Sequence, residues 1–209
     1  MLEIRDLGLQ DFEQTYLAMQ TFTQARQATT PDQLWLVEHP PVFTQGLNGQ
    51  AQHIKQSLAD IPLVHTDRGG QITYHAPGQL ILYVLLDLKR RKLGVRQLVS
   101  LLEQACINLL ADYQIDASAR ADAPGIYVKG QKIASLGLKI KRHASYHGLA
   151  LNVNMDLTPF QRIVPCGLNT IQMTQMQAFL PNIQLEQVKP GLVAHFQQAL
   201  SNWPIIEPL

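Results

Sequence analysis

Two cysteines occur in the chain, and their settings differ. Cys166 lies in RIVPCGL (Arg162 to Leu168), between a proline that restricts the backbone and a glycine that permits unusual angles. Such a bend belongs to a loop, where functional side chains concentrate. A lone intracellular cysteine becomes a nucleophile when a neighbour favours its thiolate; otherwise it is an inert loop residue, and this stretch alone leaves both readings open. Cys106 instead falls on the apolar stripe Val95, Leu98, Leu102, Cys106, Leu109 and Tyr113, and reads as a small core side chain.

A candidate activator lies in GIYVKGQKIASLGLKI (Gly125 to Ile140), which reads as a hairpin turning at Lys129-Gly130-Gln131. Strict alternation along its second strand puts Lys132 on one face with Ala134, Leu136, Leu138 and Ile140, and Ile133, Ser135, Gly137, Lys139 and Lys141 on the other. An ammonium on an apolar face must pair, lose its proton or snorkel, and proton exchange with a thiol is one task that would explain it. The next strand, SYHGLALNVN, sets His147 on an apolar face with Leu149, Leu151 and Val153, where a hydrogen-bonded core histidine is an equal explanation.

The densest signal is DRGGQITYHAPGQLILY (Asp67 to Tyr83). Gly69-Gly70 let a ligand approach the backbone and offer amides to an oxygen. A structural double turn explains the glycines, though not the clustering of Arg68, Tyr74, His75 and Gln79 around them. Neither GxxxxGK[ST] nor GxGxxG occurs, so neither common phosphate loop is expected, and the absence of CxxC argues against a metal site.

These residues need a scaffold. A chain of 209 residues fits one domain, 1–209, large enough to bury a core without disulfides. Leu2 to Leu7 reads as a strand, Asp11 as the cap of a helix reaching about Thr29, and Gln33 to His39 as a strand ended by Pro40-Pro41. QLILYVLLDL (Gln79 to Leu88), apolar on both faces, suits a central strand with helices on one side and something else on the other. Helices are expected over Val95 to Tyr113 and about Leu185 to Trp203. The order of elements is too irregular for a βαβ series.

Charge and targeting narrow the partners. Residues 89–142 hold 11 Lys/Arg against 4 Asp/Glu and the remainder 6 against 12, so KRRK (Lys89 to Lys92) and KIKR (Lys139 to Arg142) form either a patch for an acidic partner or plain solvated surface. A pI of 7.8 is low for a nucleic-acid-binding domain. No apolar run approaches the roughly 18 residues of a membrane span, and no secretory signal is visible. A soluble, cytoplasmic protein with free thiols is expected.

Together LWLVEHPPVFTQG, RGGQITYHAPGQLILY, RADAPGIYVKGQKIASLGLKI, HGLALNVNMDL and VPCG run through most of residues 1–170 and resemble the lipoyl(octanoyl) transferases of the biotin/lipoate protein ligase superfamily. The resemblance implies an α+β fold, a mixed β-sheet flanked by helices. It implies Cys166 as acyl-thioester nucleophile and Lys132 as the residue that tunes it and carries protons. It implies an acyl pocket lined by Arg68, Gly69, Gly70, Gln71, Ile72, Thr73, Tyr74, His75, Ser135, Leu136, Gly137, Gly148, Leu149 and Ala150. It implies octanoyl-acyl carrier protein as donor, lipoyl domains of 2-oxoacid dehydrogenases and the glycine cleavage H protein as acceptors, and no cofactor, metal, nucleic acid or membrane. Ala76 stands where many members have glycine, and LNTIQMTQM after Gly167 departs from the familiar pattern. An ATP-dependent lipoate or biotin ligase of the same superfamily is the alternative, although its glycine-rich nucleotide signature is missing here.

Overall fold

The computed structural model describes residues 2–58, 60–164 and 171–202. Cys166 and its neighbours in PCG lie outside the described residues, as does Trp203.

The chain begins with β1 (Leu2–Leu9), α1 (Phe12–Ala25) and β2 (Asp32–Glu38). Asp11 caps α1 as its sequence position predicts, its Oδ1 accepting the Gln14 N–H at 2.9 Å. The helix ends at Ala25, short of Thr29. β1 and β2 pair in parallel, so this segment is a single βαβ unit. Next come β3 (Val42–Gln45), β4 (Leu63–His65), β5 (Ile72–His75) and β6 (Gln79–Leu85), then α2 (Val95–Asp112). The rest comprises β7 (Ser118–Ala119), β8 (Ile126–Val128), β9 (Gln131–Lys141), β10 (Ala144–Asn152) and α3 (Leu185–Asn202). Lys129 (φ 49) and Gly130 (φ 80) form the left-handed turn between β8 and β9, matching the hairpin read from sequence.

Seven strands form one mixed sheet in the order β1-β2-β6-β10-β9-β8-β7, and β4-β3-β5 form a second, smaller sheet. β6 is buried along its whole length. Its Leu80, Leu82 and Val84 join Leu149 and Leu151 of β10 against α2 and α3 in the main core. That core includes Leu98, Leu102, Cys106 and Leu109 of the predicted stripe, whereas Val95 is exposed. The alternate residues Ile81, Tyr83 and Leu85 pack with Trp35, Val37, Tyr146, Ala150 and Met19 of α1 on the other face. The smaller sheet has a core of its own, in which Phe43, Ile72 and Tyr74 pack with Phe160 and Ile163.

Half of the KRRK run is tied to a buried carboxylate. Arg90 and Arg91 turn onto Asp32, at 2.7 and 2.5 Å, and Arg26 reaches the same carboxylate at 2.5 Å. Asp32 is 1% exposed, so an uncompensated carboxylate there would be costly, and three guanidiniums offset its burial. Arg91 is partly buried by this contact, while Arg90 stays exposed beside Lys89 and Lys92.

Candidate active site

Small residues on one face of the main sheet make the site. In the β9–β10 ladder Ser135 pairs with Ala150 and Gly137 with Gly148, so four short side chains lie side by side. β6 continues both rows, Ile81 beside Ala150 and Tyr83 beside Gly148. The missing side-chain volume opens a narrow, mostly apolar cavity. Gly148 has a second reason to lack a side chain, since a Cβ there would lie 2.0 Å from the Leu82 carbonyl oxygen.

Lys132 enters this cavity because the strand is irregular. Ile126 pairs with Ala134 but Tyr127 pairs with Lys132, which leaves Ile133 as an extra residue in β9. The bulge puts Ile133 and Ala134 together into the helix-side core and turns Lys132 to the side of Ser135 and Gly137. Regular alternation, which would place Lys132 with Leu136 and Leu138, is therefore corrected by one residue. The lysine is 1% exposed; its Nζ donates to the Pro124 carbonyl at 2.7 Å and sits 5.6 Å from the centre of the Tyr127 ring. Gly125 keeps room for it, since a Cβ at that residue would lie 2.3 Å from Lys132 Cε.

The glycine-rich stretch forms the opposite wall. Arg68, Gly70, Gln71, Ile72, Thr73 and His75 line the cavity, as do Ser135, Leu136, Gly137, Gly148, Leu149 and Ala150. Gly69 and Tyr74 are not on its surface: the Gly69 N–H is tied to the Leu138 carbonyl at 2.9 Å, and the Tyr74 ring packs between Phe43 and Phe160. Arg68 is buried, and its guanidinium donates to the carbonyls of Thr44, Gly69 and Gln71, holding the loop in shape. Ala76 is buried outside the left-handed region; the residue of that turn with positive φ is Gly78 (φ +88), so alanine at 76 needs no unusual backbone.

Phe12, Ile81 and Tyr83 line the cavity as well, although nothing in the sequence singled them out. The two β6 residues are recoverable from alternation once β6 is paired with the glycine-bearing β10. Phe12 carries no such signal.

Around these residues lies a buried polar network whose hydrogen bonds have one consistent direction. The Arg68 guanidinium donates to the Thr44 hydroxyl at 2.9 Å, and that hydroxyl donates to His75 Nε2 at 3.2 Å. His75 Nδ1 donates to Gln79 Oε1 at 2.6 Å, Gln79 Nε2 to Asn152 Oδ1 at 2.9 Å, and Asn152 Nδ2 to the Thr174 carbonyl at 2.9 Å. Burial pushes His75 down to about 3, with His39 nearby adding to the effect, and pushes His39 down to about 4. Both rings are neutral at physiological pH. His39 donates through Nδ1 to the Gln10 carbonyl at 2.7 Å, leaving Nε2 to accept the Tyr83 hydroxyl at 2.8 Å.

His147 is a non-glycine residue at φ +61 within β10, and this turn of the backbone brings it to the cavity and not to the apolar face that alternation predicts. Its Nε2 lies 3.4 Å from Asp67 Oδ1. Burial works to raise the Asp67 carboxyl, but hydrogen bonds from His147, Tyr146 and Tyr16 outweigh it and hold the group well below the usual carboxylate range. His143, four residues earlier, lies in the β9–β10 turn. Among the described residues no group of three His, Cys, Asp or Glu could hold a metal ion.

The segment that carries Cys166 is anchored at both described ends. Before it, the Val164 N–H donates to the His53 carbonyl at 2.8 Å and Ile163 bridges to Ile54. After it, Lys132 N–H donates to the Gln172 carbonyl at 2.8 Å and Thr174 N–H to the Lys132 carbonyl at 2.9 Å. The backbone of Lys132 is thus the strut for the chain that follows the cysteine.

The lipoyl protein ligase A/B catalytic domain matches residues 12–197. An octanoyltransferase of Hydrogenovibrio crunogenus is 63% identical over 86% of this chain and 87% of its own length, and one of Klebsiella pneumoniae 57% identical over 96% and 94%. The chain belongs to the octanoyltransferases. Its fold also matches a bi-partite lipoate protein ligase from Thermoplasma acidophilum, with TM-score 0.76 and 16% identity over 95% of this chain and 83% of that one. Octanoyltransferase and ligase therefore share the mixed sheet with flanking helices, while the close sequence relatives are transferases. No helix among the described residues of this octanoyltransferase is long and apolar enough to cross a membrane.

Proposed function

We propose that the enzyme moves an octanoyl or lipoyl group from acyl carrier protein to the lysine of a lipoyl domain through an acyl thioester on Cys166, with Lys132 as proton carrier. Acceptors of this chemistry are lipoyl domains of 2-oxoacid dehydrogenases and the glycine cleavage H protein. The observation that carries the reading is a fully buried lysine on the wall of a slender, mostly apolar cavity, in the strand that anchors the chain just after the cysteine. A ligase that activates a free acid as an adenylate needs no such pair.

The Lys132 ammonium stabilises the Cys166 thiolate by charge. The thiolate attacks the donor's thioester carbonyl, forming a carbon–sulfur bond and a tetrahedral oxyanion that backbone amides can stabilise. Collapse breaks the bond to the carrier sulfur, and that thiolate takes the Lys132 proton and leaves as a thiol. The acyl group stays in the cavity formed by Arg68, Gly70 to Thr73, His75, Ser135 to Gly137 and Gly148 to Ala150. The neutral amine of the acceptor lysine then attacks the acyl-enzyme, and its surplus proton passes to the now neutral Lys132. Expulsion of the Cys166 thiolate completes the amide and restores the starting ion pair. The donor thioester is already activated, so no ATP or other cofactor enters. A reducing cytoplasm would keep the thiol available.

Mass spectrometry after brief incubation with octanoyl-acyl carrier protein tests the reading. The expected result is a hydroxylamine-labile octanoyl adduct on Cys166 that moves to an apo lipoyl domain without ATP. Transfer that survives in Cys166→Ala would remove the thiol from the mechanism.

A further inference from the structure

Gln71 lines both this cavity and a second, open groove formed with Leu47, Asn48, Gly49, Gln50 and His53. The groove is firmly built: the backbone N–H groups of Gly46, Leu47 and Asn48 donate to the carbonyls of Gln71, Arg68 and Gly70 at 2.9, 3.0 and 3.0 Å. A Cβ on Gly46 would lie 2.5 Å from the Gly70 oxygen, so the two loops pack backbone to backbone. The groove also touches the cysteine segment, because the carbonyl of His53 holds the Val164 N–H two residues before Cys166.

Gln71 lines both spaces, and its side-chain oxygen is buried with no hydrogen-bond partner among the described residues. Buried amide oxygens are nearly always satisfied, and one left bare keeps a desolvation cost that an incoming N–H would remove. We propose that this groove holds the flexible arm that carries the acyl thioester, a chain of amide units, and that Gln71 Oε1 accepts the N–H nearest the sulfur. The proposal rests on the thioester reading above.

The chemistry of the arm fits the position. In a pantetheine-type arm the first amide N–H stands two carbons from the sulfur. With the acyl chain in the cavity and its thioester at the rim, that N–H falls just outside it, on the side where Gln71 also lines the groove. Among the described residues the lining of the groove contains no Asp, Glu, Lys or Arg, while Asn48, Gln50 and Gln71 supply amide side chains. That lining suits an uncharged, amide-rich arm; the ammonium of an acceptor lysine would find no carboxylate there. Leu47, 64% exposed at the rim, offers the apolar contact that the dimethyl unit of such an arm would cover.

The test measures acyl-enzyme formation in single turnovers, using the octanoyl thioester of N-acetylcysteamine and its oxygen-ester isostere, which lacks the N–H. The wild-type enzyme is expected to favour the amide donor by about 3- to 10-fold in kcat/KM, chiefly through KM. In Gln71→Leu that preference should fall toward one, and a folded Asn48→Ala should weaken octanoyl-pantetheine more than the shorter amide donor. Equal use of the two isosteres by wild-type enzyme overturns the proposal without any variant having to fold. So does a Gln71→Leu enzyme that keeps the preference, or one whose main defect is transfer from preformed acyl-enzyme to the lipoyl domain, which would assign the groove to the acceptor lysine. If wild-type enzyme forms no acyl adduct even with the carrier-protein donor, the thioester reading fails first and takes this proposal with it.

Discussion

The two faces of the central sheet are built from the same strands and do opposite work. Toward α2 and α3, β6 and β10 present Leu80, Leu82, Val84, Leu149 and Leu151, and a continuous aliphatic core results. Toward α1 and the smaller sheet the intervening positions are Ile81, Tyr83, Gly148 and Ala150, with Ser135 and Gly137 beside them. Large side chains on one face fill space, and small ones on the other leave it. Alternation with a period of two lets one strand provide stability and chemistry independently, because a change on one face need not disturb the other.

The largest expected effect breaks the chemical face alone. Lys132→Met is nearly isosteric and removes a buried charge, so the thermal midpoint should change little while acyl transfer falls by about 10²- to 10⁴-fold. Transfer near the wild-type rate would exclude Lys132 as proton carrier. The converse change, Leu82→Ala, should cost about 2–5 kcal/mol in urea denaturation and leave kcat/KM of the folded enzyme unaltered. A matching loss of activity would show that the faces are coupled. Filling the cavity by Ala150→Val should reduce kcat/KM for octanoyl relative to hexanoyl donors by about 10- to 200-fold, the range for one methylene in an apolar pocket.

A smaller effect separates the faces by pH. His39 and His75, depressed to about 4 and about 3, stay neutral in the folded protein while the unfolded chain takes up protons near 6.5. Their contribution to stability is complete above about pH 6.5 and is lost as the pH falls toward 4, by at most about 1.4 kcal/mol per pH unit for each ring. Stability measured in urea across pH 4–7 should show this slope, and His39→Gln should lessen it. An unchanged slope would mean that the network does not hold His39 neutral.

Much of the fold was legible because its signals are local. Asp11, Pro40-Pro41 and Lys129-Gly130 mark ends and turns whose geometry depends on a few neighbouring residues, and each stands where expected. The stripe through Leu98, Leu102, Cys106 and Leu109 is a helix face because 3.6-residue spacing makes it one, and burial raises the Cys106 thiol to about 12, as suits an inert core residue. The glycine-rich stretch could be singled out by composition, and most of its residues do face one cavity.

The departures have a common cause. Regular alternation put Lys132 on the helix side, but the extra residue at Ile133 is a property of the β8–β9 pairing and is invisible in one strand read alone. His147 leaves its expected face through a left-handed backbone that the surrounding structure must hold in place. The pairing of Arg90 and Arg91 with Asp32, nearly 60 residues away, is likewise invisible in the run itself. Phe12 reaches the cavity only because α1 crosses that face of the sheet. By itself the sequence determined the three helices, the longer strands, the Asp11 cap and the β8–β9 turn, since each rests on short-range sterics and periodicity. Tertiary structure alone decided which way Lys132 and His147 point, which charges are paired, and where the cavity lies, since these depend on registers and contacts between distant segments.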